Sequence, residues 1–264
     1  MRTREGRRFS TAFVLALGWA WVLPVVAEEP PSLAQEQAEA RARCDVAETA
    51  ADSDPVARHT LGVCYLLGAG RLTDHRRALG LFASAAEEGV REAAFSHAAA
   101  LLFKVGEASR FAEATRALSK LASEGYLPAH FPLGVAYVGA LGVEEDAERG
   151  LREFAVAAGE GRDDVAAWLL AVVYRYGLLG QPANEDLAWQ YVGVYLANLR
   201  RQYPSLEFSA ERLREAARAL HHDRLLRRHV FTDRQLELFL ALAQEVIERP
   251  DLARLRRDWV TSSP

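Results

Sequence analysis

The side chains best suited to bind a metal ion cluster near residue 221. His221, His222 and Asp223 are consecutive, and His229 follows in the same segment. A zinc site needs spacings such as His-Glu-x-x-His or paired Cys-x-x-Cys, and neither pattern accompanies this cluster. We therefore interpret the cluster as one face of a helix, and we predict no metal site and no cofactor.

The chain lacks the motifs of two enzyme classes. No Gly-x-Ser-x-Gly motif is present, and no serine is followed three places on by a lysine, so a penicillin-binding type of acyl enzyme has no visible nucleophile. The stretch GAGRLT at 68–73 begins like a dinucleotide fingerprint but lacks its third glycine and a preceding strand. We therefore predict that the protein is not an enzyme.

Residues 1–27 have the three-part pattern of a secretory signal peptide. Four arginines precede an apolar stretch over 13–26, and Val25 and Ala27 occupy the −3 and −1 positions of a cleavage site. The pattern predicts a periplasmic or secreted protein cleaved after Ala27, for which membrane contact is not expected. An uncleaved membrane anchor is the alternative.

The chain contains only two cysteines, Cys44 and Cys64. In an oxidising compartment such a pair is a candidate disulfide. Their midpoint lies in the stretch ADSDPV, whose residues favour a turn, so an antiparallel pair of helices around it would place the two cysteines opposite each other. The alternative is two buried, unpaired thiols.

The charge is distributed unevenly along the chain. Residues 28–199 carry 15 basic and 25 acidic side chains, whereas residues 200–264 carry 13 and 10. This balance gives no basic footprint for nucleic acid, and it favours a protein partner with a basic surface. An acidic turn at 144–148 is interpreted as a solvated turn, with contact to a cation or basic partner as the alternative.

A repeat with a period of 36 residues runs through the chain. The pair Glu-Gly ends three alanine-rich segments, at Gly89, Gly125 and Gly161. Each segment has the apolar spacing of a helix, so the three glycines are predicted to be equivalent helix C-caps. The stretches LGVCY at 61–65 and LGVAY at 133–137 mark a second helix per unit. A helical hairpin repeated at this interval predicts an all-α fold, an α-solenoid.

These residues resemble Sel-1-like repeats, relatives of the tetratricopeptide repeat. The first copy matches at Leu61-Gly62, Tyr65, Gly68, Gly70, Asp74, Ala78, Phe82, Ala85-Ala86 and Gly89. The third copy matches at Leu133-Gly134, Tyr137, Gly142-Val143, Asp146, Phe154, Ala157-Ala158 and Gly161. The second and fourth copies match in part. The resemblance implies a right-handed superhelix that serves as an interaction scaffold without chemistry of its own.

The repeats divide the mature chain into three parts. Residues 28–55 are predicted to form an N-terminal capping helix, and residues 56–199 form about four repeats, two of them degenerate. Residues 200–264 form a C-terminal helical region that either closes the stack or folds as a satellite domain. Within it, Thr232 and Gln235 have the spacing of a helix capping box.

Four ring-bearing residues occupy the same position in successive repeats: His59, Phe95, Phe131 and Trp168. One interpretation is a ladder of candidate groove contacts for a partner. The other is core between neighbouring repeats, and the pattern favours the core, with Trp168 as the best exception.

The sequence as a whole predicts an exported scaffold that binds another envelope or secreted protein. Assembly of envelope or polysaccharide machinery is a more specific version of this hypothesis. The alternative is an envelope enzyme or glycan-binding module acting on peptidoglycan.

Overall fold

The computed structural model describes residues 33–69, 71–104, 108–202, 210–223 and 226–248. Helices connected by turns make up this part of the chain, and it contains no strand, which confirms the all-α prediction. The predicted signal peptide, residues 1–27, lies outside the described residues. The chain divides between Glu124 and Gly125 into an N-terminal unit and a C-terminal unit.

Five helices form the N-terminal unit. They are α1 (Leu33–Ala50), α2 (Pro55–Leu67), α3 (His75–Glu87), α4 (Arg91–Lys104) and α5 (Ala108–Ser123). Helix α1 lies within residues 28–55, the segment predicted to cap the repeats; α2 and α3 form hairpin one, and α4 and α5 form hairpin two. Turn residues fix these boundaries, since Asp54 caps α2 through Val56 N at 2.8 Å and Pro55 opens the helix.

The C-terminal unit contains two more hairpins and a helical end. After a 3₁₀ turn (Leu127–Ala129), hairpin three consists of α6 (His130–Val138) and α7 (Ala147–Gly159), and hairpin four of α8 (Asp164–Tyr176) and α9 (Glu185–Gln202). The end comprises α10 (Ala210–His221), a π-helix (Leu226–Val230) and α11 (Asp233–Glu248). None of the helices described in either unit combines the length and apolar character needed to span a membrane.

The three Glu-Gly pairs do not have the same geometry. Gly89 and Gly125 have φ angles of 91° and 77°, the left-handed conformation predicted for a C-cap glycine. Gly161 does not have a left-handed φ angle, so the prediction that the three glycines are equivalent C-caps is wrong for Gly161. The left-handed position passes to Arg162, with φ 54°, because the turn after α7 runs one residue later. Asp163 N then donates to Ala157 O at 2.8 Å, and the hairpin closes in spite of the change.

The C-terminal end differs from the sequence expectation at one point. The cluster from His221 to His229 is predicted to form one face of a helix, but α10 ends at His221. The buried Asp223 accepts a hydrogen bond from Leu226 N at 2.9 Å, which starts the short π-helix instead. The capping box of α11 is confirmed, since Gln235 N donates to Thr232 Oγ1 at 3.3 Å and Thr232 N donates to Gln235 Oε1 at 2.9 Å.

Each unit has its own apolar core built from the hairpin helices. In the N-terminal unit Phe82 is fully buried among small residues and leucines. In the C-terminal unit Phe154, Trp168 and Phe239 are the largest fully buried side chains. The alanines and glycines of the repeat allow helices to approach closely, and the aromatic rings fill the remaining space.

Candidate functional site

In hairpins one and three, a glycine on the first helix receives a phenylalanine ring from the second. A Cβ atom added to Gly62 would lie 2.6 Å from Phe82 Cε1. A Cβ added to Gly134 would lie 2.6 Å from the Phe154 ring and 2.9 Å from Gly150 O. Because no side chain fits there, the Leu-Gly pair and the phenylalanine of the repeat form one packing unit.

The turn between the two helices of hairpin one is closed by Tyr65, Asp74 and Arg77. Asp74 N donates to Tyr65 O at 3.0 Å, and Asp74 Oδ1 accepts from Arg77 N at 2.9 Å. The Arg77 guanidinium lies 4.3 Å from the centre of the Tyr65 ring, a cation–π contact. These polar residues therefore position the glycine turn.

The predicted disulfide is confirmed. Cys44 on α1 and Cys64 on α2 are bonded, and both are buried. Arg58 supplies a second connection, since its Nε donates to Ala51 O at 2.8 Å and its guanidinium pairs with Glu88. Helix α1 is thereby held on hairpin one by a covalent bond and by an arginine that bonds the residue after its end.

Two of the four predicted groove residues lie in the N-terminal unit. His59 is half-buried, with Nε2 2.8 Å from Ser96 Oγ and its ring 5.6 Å from that of Phe82. Phe95 is 6% exposed and belongs to the core. His59 is therefore the one of this pair that retains a partly accessible ring.

The other two predicted groove residues lie in the C-terminal unit, and again one is half-buried and the other is buried. Phe131 is half-buried and packs on Phe154 at 5.6 Å between ring centres. Trp168 is 1% exposed, and its ring lies 5.0 Å from that of Tyr195. The buried position of Trp168 favours the core interpretation for this residue, so it offers no surface to a partner.

The pair His59 and Ser96 has the residue types of a hydrolase nucleophile and base. Ser96 is 0% exposed, however, and its hydroxyl donates to Glu92 O at 2.7 Å. A nucleophile needs open space for a substrate next to its oxygen. The contact is therefore a connection between α2 and α4. Burial lowers the pKa of His59, and the negative charge of Glu92 opposes this shift in part.

A second histidine contact, between His130 and Glu153, joins the helices of hairpin three. His130 Nδ1 lies 2.6 Å from Glu153 Oε2, and the two side chains are 15% and 17% exposed. His130 occupies the position of Arg58 in hairpin one. We interpret the pair as the polar link between α6 and α7.

One carboxyl group has a strongly shifted pKa. Burial, and then the charge of Asp164, raise the pKa of Asp163 to about 7. Such a shift is common for catalytic acids. Asp163 is nevertheless the N-cap of α8, and its Oδ1 accepts from Ala166 N at 2.8 Å. This hydrogen bond assigns the group a structural role.

Among the described residues, no group of three or more histidine, cysteine, aspartate or glutamate side chains is arranged to hold a metal ion. The rings of His221 and His222 meet edge to face, with centres 4.7 Å apart. Asp223 is occupied by its bond to Leu226 N. The residues that suggested a metal site thus end α10 and begin the π-helix.

A polar cluster that sequence reasoning did not find joins α8 to α11. Glu245 accepts from Arg175 Nε at 2.8 Å with one carboxylate oxygen and from the Tyr176 hydroxyl at 2.8 Å with the other. The partners are separated by about 70 positions in the chain, and neither stretch has a motif. Only the packing of α11 against α8 brings them together.

Parts of the chain match the sequence model of a known repeat family, in agreement with this geometry. The model of the Sel1 repeat family matches residues 55–90 and 164–192, which contain hairpin one and most of hairpin four. A search of the curated proteins finds no significant match.

Two of the solved structures that resemble the chain are bacterial proteins. A Sel1 repeat protein from Oxalobacter formigenes has 21% sequence identity and a TM-score of 0.51, with 78% of this chain and 80% of that chain covered. A protective antigen present in uropathogenic Escherichia coli strains, which displays an SLR fold, has 21% identity and a TM-score of 0.50. That alignment covers 96% of this chain and 47% of the antigen. At these identities the likeness concerns the fold, an α-solenoid of stacked hairpins.

Proposed function

The chain is a Sel1-repeat protein, and from that premise we propose that it is a non-catalytic scaffold that binds another protein in the cell envelope. Sel1-repeat proteins generally mediate protein–protein interaction. Repeated hairpins present a regular surface that can bind an extended partner. Assembly of envelope or surface-polysaccharide machinery is the specific role that we propose for this member.

One observation carries the proposal: the side chains capable of chemistry are used to hold the repeats together. The buried Ser96 hydroxyl contacts the half-buried His59, and Asp163 caps a helix. His130 and Glu153 connect the two helices of hairpin three. Groups committed to such contacts support a binding surface rather than a catalytic centre.

Location in the envelope is supported by the disulfide. Cys44 and Cys64 are bonded, and disulfides persist in oxidising compartments such as the periplasm. The predicted signal peptide agrees with this location. We propose that the functional chain begins after Ala27.

The proposed partner carries a basic patch that contacts the acidic turn of hairpin three. Glu144, Glu145, Asp146 and Glu148 are all exposed there. We propose that His59 and Phe131, which are half-buried, add ring contacts on their own units. Because exposed charges attract over a distance set by ionic strength, binding should weaken as salt rises.

Capture of partners from a native envelope fraction tests the proposal. The mature chain is immobilised as wild type, as the double variant Glu144→Lys with Glu145→Lys, and as Glu87→Lys. Glu87 is an exposed carboxylate at the end of α3 and serves as the matched control. We expect one partner that the wild type and Glu87→Lys retain and that the double variant loses.

The same captured complex should dissociate as salt is raised, and Phe131→Leu should weaken it without unfolding the chain. A partner retained equally by all variants would contradict the acidic turn as its contact. Turnover or stoichiometric binding of muropeptides by the purified mature chain, with no protein captured, would contradict the scaffold and support the glycan-acting alternative.

A further inference from the structure

Residues 226–248 lie on the first helices of hairpins three and four. Helix α11 packs on α10 and also contacts α8, and the π-helix contacts α6. The two covered helices, α6 and α8, are the equivalent members of their hairpins. Residues 226–248 therefore occupy part of the surface that repeated hairpins generate.

The approach at α6 is close. A Cβ atom added to Gly139, which follows α6, would lie 3.0 Å from His229 O and 3.3 Å from His229 Cβ. Glycine thus permits the backbone of the π-helix to lie directly against the end of α6. This contact places the start of α11 beside the row of first helices.

At α8 the contact is polar, and its acceptor is a carboxylate. Arg175 and Tyr176, in the last turn of α8, each donate one hydrogen bond to Glu245, and each bond measures 2.8 Å. Burial, and then the bond to Glu245, raise the pKa of Tyr176, so its hydroxyl remains a donor. The Arg175 guanidinium is also 5.8 Å from the centre of the Trp189 ring, which limits its orientations.

The helix that supplies the carboxylate is amphipathic. Its buried residues form one stripe at helical spacing: Leu236, Phe239, Leu242, Ala243 and Val246. Glu245 lies at the edge of that stripe, and its side chain is 27% exposed, as Arg175 is at 28%. The polar contact therefore remains accessible to solvent, and a competing carboxylate can reach it.

We propose that the end of α8 is a docking site for an amphipathic partner helix that carries a carboxylate, and that α11 fills this site in cis as an autoinhibitory contact. The inference rests on the proposed function as a protein-binding scaffold and names the chemistry of one binding site. The partner's carboxylate takes the place of Glu245 between Arg175 and Tyr176. Helix α11 then moves away with α10, on which it mainly packs.

A peptide with the sequence of residues 233–248, labelled with a fluorophore, is the probe for this site. Its binding is measured by fluorescence anisotropy to the mature chain as wild type, Glu245→Gln and Glu237→Gln. Glu237 is exposed on the same helix and makes the matched control. Because a hydrogen bond to a charged group is worth more than a neutral one, we expect the peptide to bind the Glu245→Gln chain about tenfold more tightly than the wild type.

Two further measurements define the contact. Hydrogen exchange in residues 233–248 should rise in Glu245→Gln and stay at the wild-type level in Glu237→Gln. A peptide with glutamine at the position of Glu245 should lose about tenfold in affinity for the Glu245→Gln chain. If Glu245→Gln fails to fold, Glu245→Asp withdraws the carboxylate by one methylene group and leaves both donors of α8 in place, so it should raise peptide binding by roughly threefold.

Unchanged exchange and unchanged peptide binding in Glu245→Gln and Glu245→Asp would overturn the proposal. Dimerisation of Glu245→Gln through exchanged α11 helices would also overturn it, since the occupant would then be a second copy of this chain. An envelope partner captured equally by the wild type and Glu245→Gln would leave the scaffold function standing and remove the autoinhibitory contact. If α11 opens in Glu245→Gln but no partner is captured, the cis contact of α11 stands and the scaffold function is contradicted.

Discussion

Hairpins one and three repeat the same contacts at an interval of 72 residues. Phe82 packs against Gly62 as Phe154 packs against Gly134. The cation–π contact of Arg77 with Tyr65, at 4.3 Å, recurs as Arg149 over Tyr137 at 4.2 Å. Asp146 N donates to Tyr137 O at 3.0 Å, the distance between Asp74 N and Tyr65 O.

The two hairpins differ where they contact what precedes them. Cys64 forms the disulfide with α1, whereas Ala136 stands at the equivalent place in hairpin three. Arg58 reaches Ala51 O, whereas His130 turns to Glu153 within its own hairpin. The contacts that both hairpins share therefore hold each hairpin together. The contacts that differ attach helix α1 to hairpin one. Much of α1 is polar and exposed, so it requires that attachment.

The largest expected effect comes from removing the shared ring. Phe82→Ala and Phe154→Ala should each lower the free energy of unfolding by roughly 3–5 kcal/mol, because each leaves a cavity against a glycine that cannot fill it. Urea denaturation followed by tryptophan fluorescence and circular dichroism measures the change. A loss in one hairpin at least twice that in the other would contradict the equivalence of the two contacts.

The disulfide is a contact that hairpin one has and hairpin three lacks. Replacing Cys44 and Cys64 by serine should lower the free energy of unfolding by roughly 3 kcal/mol, the value expected for a loop of this length. The increase in hydrogen exchange should be confined to α1 and its junction with α2. Adding reductant to the wild type should reproduce the change, and adding it to the double variant should alter nothing. A loss spread evenly through α6 and α7 would contradict a local role.

The hairpins themselves could be predicted because their contacts are local in sequence. Gly62, Tyr65, Asp74 and Phe82 lie within one repeat, and each has a conformational or packing reason for its residue type. The disulfide was predictable because only two cysteines exist and they flank a turn symmetrically. Helix caps such as Asp54 and Thr232 follow from residue type in the same way.

Contacts between distant segments could not be predicted in this manner. Glu245 meets Arg175 and Tyr176 only after α11 has packed on α8, and no spacing in the sequence records that approach. The placement of Trp168 in the core also depends on neighbouring helices. Gly161 was misjudged because one residue added to the turn moves the left-handed position to Arg162 while the Glu-Gly pair stays in the sequence.

Replacing glycine by alanine tests why the repeat has glycine at particular helix positions. The cause is either the close approach of a neighbouring group or helix propensity alone. Gly134→Ala should lower the free energy of unfolding by roughly 1–3 kcal/mol, since its Cβ would overlap Phe154 and a backbone oxygen. The three atoms nearest to a Cβ at Gly62 all belong to the Phe82 ring, so Gly62→Ala should cost less. Gly80→Ala has no neighbour within 4 Å and should stabilise α3, by about 0.5–1 kcal/mol. Equal effects at Gly134 and Gly80 would contradict the packing explanation.

The smallest effect concerns the position where hairpin one has His59 and hairpin three has Phe131. Burial lowers the pKa of His59 below 6.5, so the unfolded chain takes up a proton that the folded chain resists. Its contribution to stability is therefore complete above pH 6.5 and is lost as the pH falls from 6.5 through the lower pKa of the folded state. His59→Phe introduces the residue of hairpin three and should remove this part of the pH dependence.

The measurement is the difference in free energy of unfolding between wild type and His59→Phe, taken from about pH 7.5 to about pH 5.5. Burial also lowers the pKa of His97, but that group is present in both chains and cancels in the difference. We expect the difference to shift in favour of His59→Phe as the pH falls. A difference that stays constant over this range would mean that His59 titrates alike in the folded and unfolded chain. The bond to Ser96 would then hold the protonated ring as well as the neutral one.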